Sequence, residues 1–170
     1  MKTCILSIMA IMAVKSVYGI DYLKPNTRLI SPDKKWEVWV KKNLDLDNLT
    51  AEFYVSPNGS NEHTKLTQNE RHFGAEWSPD SKVLLVYDNY GSGSSDTIIY
   101  KKTGEKWLEI YRSIEGFHII WRLDKWLPGA VQIKSNAGGG SPDKVPQTVI
   151  IQTDTIMPNQ KLHPTPFGRG

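Results

Sequence analysis

The string Ser-Pro-Asp-x-Lys, followed at once by an apolar run, occurs twice in this chain of 170 residues. The first copy, Ser31-Pro32-Asp33-Lys34-Lys35, leads into Trp36-Glu37-Val38-Trp39-Val40. The second, Ser78-Pro79-Asp80-Ser81-Lys82, leads into Val83-Leu84-Leu85-Val86-Tyr87, 47 residues later. Proline presets φ for the second position of a β-turn, and the aspartate accepts hydrogen bonds from amides just beyond it. The apolar run behind each turn reads as a strand, and a period of this length suits one four-stranded antiparallel unit.

The rest of the chain agrees with an all-β reading. No stretch sustains a helical period, and Gly, Pro, Asn and Asp punctuate the sequence at the spacing of short strands. Alternation puts Trp36, Val38 and Val40 on one face, and Glu37, Trp39 and Lys41 on the other. Val83 to Tyr87 is apolar on both faces, as expected of a strand buried between two layers. Lys102-Thr103-Gly104-Glu105 reads as a hairpin turn in which Gly104 supplies a positive φ.

Aligning the two copies predicts three units. Unit one has strands at Thr27–Ile30, Trp36–Lys41, Ala51–Val55 and His63–Thr67. Unit two has strands at Gly74–Trp77, Val83–Tyr87, Thr97–Lys101 and Trp107–Tyr111. Unit three opens with Phe117–Trp121, turns at a degenerate Arg122-Leu123-Asp124-Lys125, and continues at Ala130–Ser135 and Thr148–Thr153. Trp77 and Trp121, 44 residues apart, are expected to occupy matching positions at the ends of opening strands. A further Ser141-Pro142-Asp143-Lys144 falls out of phase after Gly138-Gly139-Gly140 and reads as a loop.

Trp77-Ser78-Pro79-Asp80-Ser81-Lys82, with Lys65-Leu66-Thr67 about ten residues ahead of it, resembles the β-propeller repeat of TolB-type proteins. The same repeat occurs in the propeller domains of prolyl-oligopeptidase-like enzymes. The likeness is close in unit two, partial in unit one and faint in unit three, and covers about Thr27 to Thr153. Ser81 and Lys34 stand where the family pattern has glycine. The resemblance implies up to three propeller-like blades, an incomplete propeller or a collapsed sandwich, since family members close a ring with six or more. It implies little about activity, because propellers serve as scaffolds, receptors and enzymes.

Residues 1–19 read as a secretory signal peptide. Lys2 gives the positive start, and Cys4 to Val14 is an apolar run too short for a membrane-spanning helix. The repeat domain is assigned to residues 20–157, and a Pro-rich tail to 158–170. Removing the leader takes away the single cysteine, so the exported domain is expected to be held by burial without disulfides, in a periplasmic or secreted setting. It also takes Lys2 and Lys15 from a chain of net charge +3, leaving +1. No basic stripe remains to recruit nucleic acid.

Chemical motifs are sparse. The loop Asp88-Asn89-Tyr90-Gly91-Ser92-Gly93-Ser94-Ser95-Asp96 is the first choice of functional surface, a rim loop with Asp88, Asn89, Tyr90 and Asp96 as candidate ligand or partner contacts. Its glycines precede a strand, not a helix, which removes a phosphate cradle. Asp88 and Asp96 would suit a hard cation, but an exposed turn is the stronger reading, and no metal or cofactor is expected. Trp39 shares a face with charged residues and is a candidate exposed aromatic for a sugar ring or a partner. Ser31-x-x-Lys34 and Ser141-x-x-Lys144 lack the helix that Ser-x-x-Lys catalysis needs. His63, His72, His118 and His163 show no zinc spacing. These features predict an exported, non-catalytic binding or scaffold module whose partner is an envelope protein or a glycan, with a homodimer as one route to covering the ends. The alternative is a small secreted hydrolase or ligand-binding enzyme working from the rim loop.

Overall fold

A computed structural model describes residues 22–45, 48–91, 94–113, 121–135 and 146–154, without the side chains of 43–45, 48–49, 90–91 and 94. The leader at 1–19, the Phe117–Ile120 strand expectation, the Ser141–Lys144 loop and the tail at 158–170 lie outside the described residues.

Every described element is a strand. The first sheet holds β1 (Arg28–Ile30), β2 (Trp36–Asp45), β3 (Asn48–Pro57) and β4 (Thr64–Asn69). The second holds β5 (His72–Trp77), β6 (Val83–Gly91), β7 (Ser94–Thr103) and β8 (Lys106–Arg112). The third holds β9 (Trp121–Leu127), β10 (Ala130–Ser135) and β11 (Thr148–Gln152). All pairings are antiparallel, and strands neighbour one another in chain order within each sheet. Three antiparallel sheets without a closed barrel fit an incomplete propeller or a sandwich.

The two Ser-Pro-Asp turns fold alike. Ser31 Oγ donates to Asp33 Oδ1 at 2.6 Å and accepts the Trp36 amide at 3.0 Å. Ser78 Oγ donates to Asp80 Oδ1 at 2.6 Å and accepts the Val83 amide at 2.9 Å. The Lys35 and Lys82 amides donate to the same aspartate oxygens. Lys34 and Ser81 both sit at φ 61°, the left-handed region where glycine is at ease. That conformation is the physical reason a glycine would suit either place.

Period-two alternation then builds two cores. Val38, Val40, Phe53 and Val55 of the first sheet meet Phe73, Leu84, Val86 and Ile98 of the second. Trp36, Trp77 and Trp107 join that core edge to face, with centroids 5.4 and 5.6 Å apart. Leu85, Tyr87 and Ile99, from the other face of the second sheet, meet Val131, Ile133 and Ile151 of the third. The central strand β6 is therefore buried on both faces, as its apolar run requires. Hydrogen bonds cross each interface. Trp77 Nε1 donates to the Leu29 carbonyl at 3.2 Å and Tyr100 Oη to the Leu66 carbonyl at 3.2 Å. The Leu123 amide donates to Tyr87 Oη at 2.9 Å, and Thr97 Oγ1 to the Trp121 carbonyl at 2.7 Å.

The third sheet corrects two expectations. Arg122–Lys125 is not a turn but lies inside β9, and the reversal into β10 is made by Pro128-Gly129, with Gly129 at φ 67°. Trp121 is not the counterpart of Trp77. Trp77 pairs with Leu84 and Trp126 pairs with Val131, so Trp126 holds the matching place next to the turn. The cause is a β-bulge. Lys125 faces Gln132 and Leu123 faces Ile133, which leaves Asp124 as an extra residue and puts two adjacent polar side chains in solvent.

Candidate functional site

The rim loop comes first. Asp88 and Asp96 stand directly opposite one another on β6 and β7, so their carboxylates share the face turned toward the first sheet. Asp88 is only 4 % exposed. Its Oδ1 accepts a hydrogen bond from the Asn69 side-chain amide at the end of β4. Asn69 Nδ2 also reaches the carbonyls of His72 and Asn89 at 3.2 and 3.3 Å, so this side chain ties the two sheets together at the rim. Burial pushes the Asp88 carboxyl up to about 6. The hydrogen bond from Asn69 and the charge of Arg112 act against that rise, while Asp96 and Glu109 add to it. Arg112 clamps Glu109 through two bonds of 2.7 and 2.9 Å and lies 3.7 Å from Asp96 Oδ2. Asp88 is thus a built-in structural acid. Asn89 points to the opposite face, where its Nδ2 donates to Tyr22 Oη at 2.6 Å. The side chain of Tyr90 lies outside the described part. The loop therefore brings Asp88 and Asp96 together but not Asn89. No group of three or more His, Cys, Asp or Glu able to hold a metal occurs among the described residues.

Trp39 lies on the outer face of the first sheet and is half-buried. Its cross-strand partners are Arg28 on β1 and Tyr54 on β3. Tyr54 stacks on the ring at 4.6 Å, and the Arg28 guanidinium lies over it at 5.4 Å from the other flanking strand. His63 meets both rings edge on. Neighbours on both sides leave an indole edge, not a ring face, for any ligand. Glu37, 3 % exposed on this same face, is held by Arg28 and by Ser56 Oγ.

A cavity of about 540 Å³ opens at the opposite end of the stack, between the second and third sheets. Its origin is the turn length. Between the first two sheets, the five-residue turns touch: the Asp33 amide donates to Ser81 Oγ at 3.0 Å. The third sheet has only Pro128-Gly129 at this place, so the Ser78–Lys82 turn has no facing turn to meet. The gap is walled by Pro79, Trp126, Leu127 and Pro128. Lys82 and Asp80 border it from the second sheet, and Asp154 from the segment after β11. Lys101 Nζ reaches across to the Thr153 carbonyl, and the Thr153 amide donates to the Gly129 carbonyl at 2.7 Å. Asp80 is already engaged by Ser78 Oγ and the Lys82 amide. Lys82 makes no side-chain hydrogen bond or ion pair among the described residues, although its charge helps hold the Asp80 carboxyl low, and Asp154 has no such partner there either. A cavity of this size is in the range of small-molecule sites, about 300–1,000 Å³.

Sequence reasoning missed this cavity because it placed the third turn at Arg122–Lys125. The signal that could have found it is Pro128-Gly129, a strong turn dipeptide three residues shorter than its predecessors. The other candidates are structural. Ser31 Oγ is committed to Asp33 and buried. His72 Nδ1 lies 3.3 Å from Lys42 Nζ, and burial, with Lys42 and Arg71, holds its pKa below the usual range. His118 and His163 lie outside the described residues. No family model and no curated protein matches the chain.

Proposed function

We propose that this chain is an exported, non-catalytic binding module of the cell envelope, a stack of three propeller-like repeats that takes its ligand in the cavity beside Pro128-Gly129. One observation carries the reading: shortening a turn from five residues to two leaves a walled space where, between the first two sheets, the facing turns are joined by a hydrogen bond. The cavity offers an aromatic wall and a few polar groups at its border, the usual make-up of a binding site.

The end faces support a free-standing stack over a ring assembled from two copies. The outer face of the first sheet presents Arg28, Ile30, Trp39, Lys41, Glu52 and Tyr54 beside the buried Glu37, opposite in phase to the buried valines. The outer face of the third presents Gln132, Lys134, Thr148, Gln152 and a lone exposed Ile150. Polar outer faces are what terminal units of a stacked array need in water. A homodimer would have to bury these groups. The hydrolase alternative finds less support, since Asp88 is occupied by Asn69 and His72 is set against Lys42. Export rests on the character of residues 1–19.

The test is an amide and indole NMR spectrum of the folded chain, titrated with a small-molecule fragment library. Shifts gathered at Trp126, Gly129 and Lys82 are expected. A library that leaves those three signals still while others move would overturn the site.

A further inference from the structure

We infer that the cavity is shaped for a neutral saccharide, with one pyranose ring lying on Trp126. The inference rests on the reading of this cavity as the binding site and adds the class of ligand. Trp126 differs from Trp36, Trp39, Trp77 and Trp107, and, unlike Trp121 of the same core, it lines the cavity. Trp36, Trp77 and Trp107 spend their rings on one another, and Trp39 spends its ring on Tyr54. Trp126 lines the cavity, is half-buried against the second core, and has no aromatic partner and no indole hydrogen bond among the described residues. It offers an apolar ring with a polar handle at its edge.

The charges around it balance. Lys82 and Lys101 face Asp80 and Asp154, so an anion meets two carboxylates and a cation meets two ammoniums. Lys101 and Asp80 are already bonded within the protein. Lys82 and Asp154, which make no side-chain hydrogen bond among the described residues, are exposed, and exposed charges contribute little as ion-pair partners while remaining good hydrogen-bond donors and acceptors. A ligand that gains here therefore carries no net charge, has a flat C–H face for the indole, and has an edge of groups that both donate and accept. Hydroxyl groups do both. A pyranose ring meets all three conditions, and the cavity volume leaves room for a second ring.

The test is a titration of the intact folded chain, read by the Trp126 indole and Gly129 amide signals. The probes are chitobiose, maltose and cellobiose as neutral disaccharides, glucose 6-phosphate as an anion, and glycylglycine as a zwitterion. Saturable shifts at Trp126 and Gly129 with at least one neutral disaccharide, and a stronger response than the charged probes give, are expected. Trp126→Ala should weaken that binding by about tenfold or more. Since this change also trims the core, Asp154→Asn and Lys82→Gln serve as surface variants; each should weaken the disaccharide several-fold with the unfolding midpoint unmoved. Binding of glycylglycine or the phosphate in preference to every disaccharide would overturn the ligand class and leave the cavity as a site. Stillness at Trp126 with all probes and with the fragment library would overturn both.

Discussion

Replacing Asp88 by Asn should stabilise the protein at neutral pH, although the residue is buried and hydrogen-bonded. Burial raises its carboxyl from the ordinary 3.8 to about 6. Between those two values the folded chain holds a proton that the unfolded chain has released. Stability therefore falls as pH rises from about 4 to about 6 and stays lowered above that range. Each tenfold in proton affinity corresponds to about 1.4 kcal/mol, so the penalty at pH 8 comes to about 3 kcal/mol. Asparagine keeps the shape and still offers an oxygen to the Asn69 amide, which now donates to Asp88 Oδ1. It sheds the buried charge and its repulsion from Asp96 and Glu109. The expected gain at pH 8 is about 2–3 kcal/mol, or about 5–10 °C in Tm for a chain of this size. At pH 3.5 the two proteins should melt nearly together, because Asp88 is then protonated in the folded chain and mostly protonated in the unfolded one. Urea and thermal unfolding followed by circular dichroism at both pH values give the comparison. Other carboxylates titrate in the opposite sense, Asp33, Glu52 and Asp80 all being held below their usual values, but they are common to both proteins and cancel in the difference. A variant less stable than the parent at pH 8, or a difference that does not change with pH, would refute the argument.

Other substitutions test other joints. Ser78→Ala removes the acceptor for the buried Val83 amide and the partner of Asp80, and should cost about 1–3 kcal/mol in urea unfolding. Tyr87→Phe leaves the Leu123 amide without its acceptor between the second and third sheets, and the same assay should show a loss of about 1–3 kcal/mol. Gly129→Ala should destabilise by about 1–3 kcal/mol: φ is 67°, and an added Cβ would fall 2.1 Å from Asp154 Oδ2, so the cavity signals in NMR should shift as well. Leu85→Ala, at a fully buried place in the second core, should cost about 2–5 kcal/mol.

Much of this architecture could be read from the residues, and the reasons are local. A Ser-Pro-Asp turn followed by alternating or doubly apolar runs defines a strand's start and its faces, and β2 and β6 follow that pattern. The third sheet resisted because its bulge sets Asp124 beside Lys125 in solvent, and two consecutive polar residues imitate a turn. The site was harder still. The rim loop drew notice by composition, yet composition does not say that Asn69, nineteen residues earlier, would seal Asp88 away from water. Nor does the indole of Trp126 differ on paper from that of Trp107. Only the missing length of a turn in a neighbouring hairpin leaves one of them a cavity to line.

Among the described residues the strands of each sheet are consecutive in the chain, and the segment ahead of β1 adds a bridge from Tyr22 to Gly74 of the second sheet. A break in the backbone between Arg112 and Trp121 would therefore cut none of the described ladders of backbone pairing. Among the described residues the two fragments would part along the Leu85–Val131 seam, and the larger would keep the hydrophobic layer between the first two sheets. Such a chain is suited to being divided and rejoined, with the smaller fragment docking onto the larger as a separable lid.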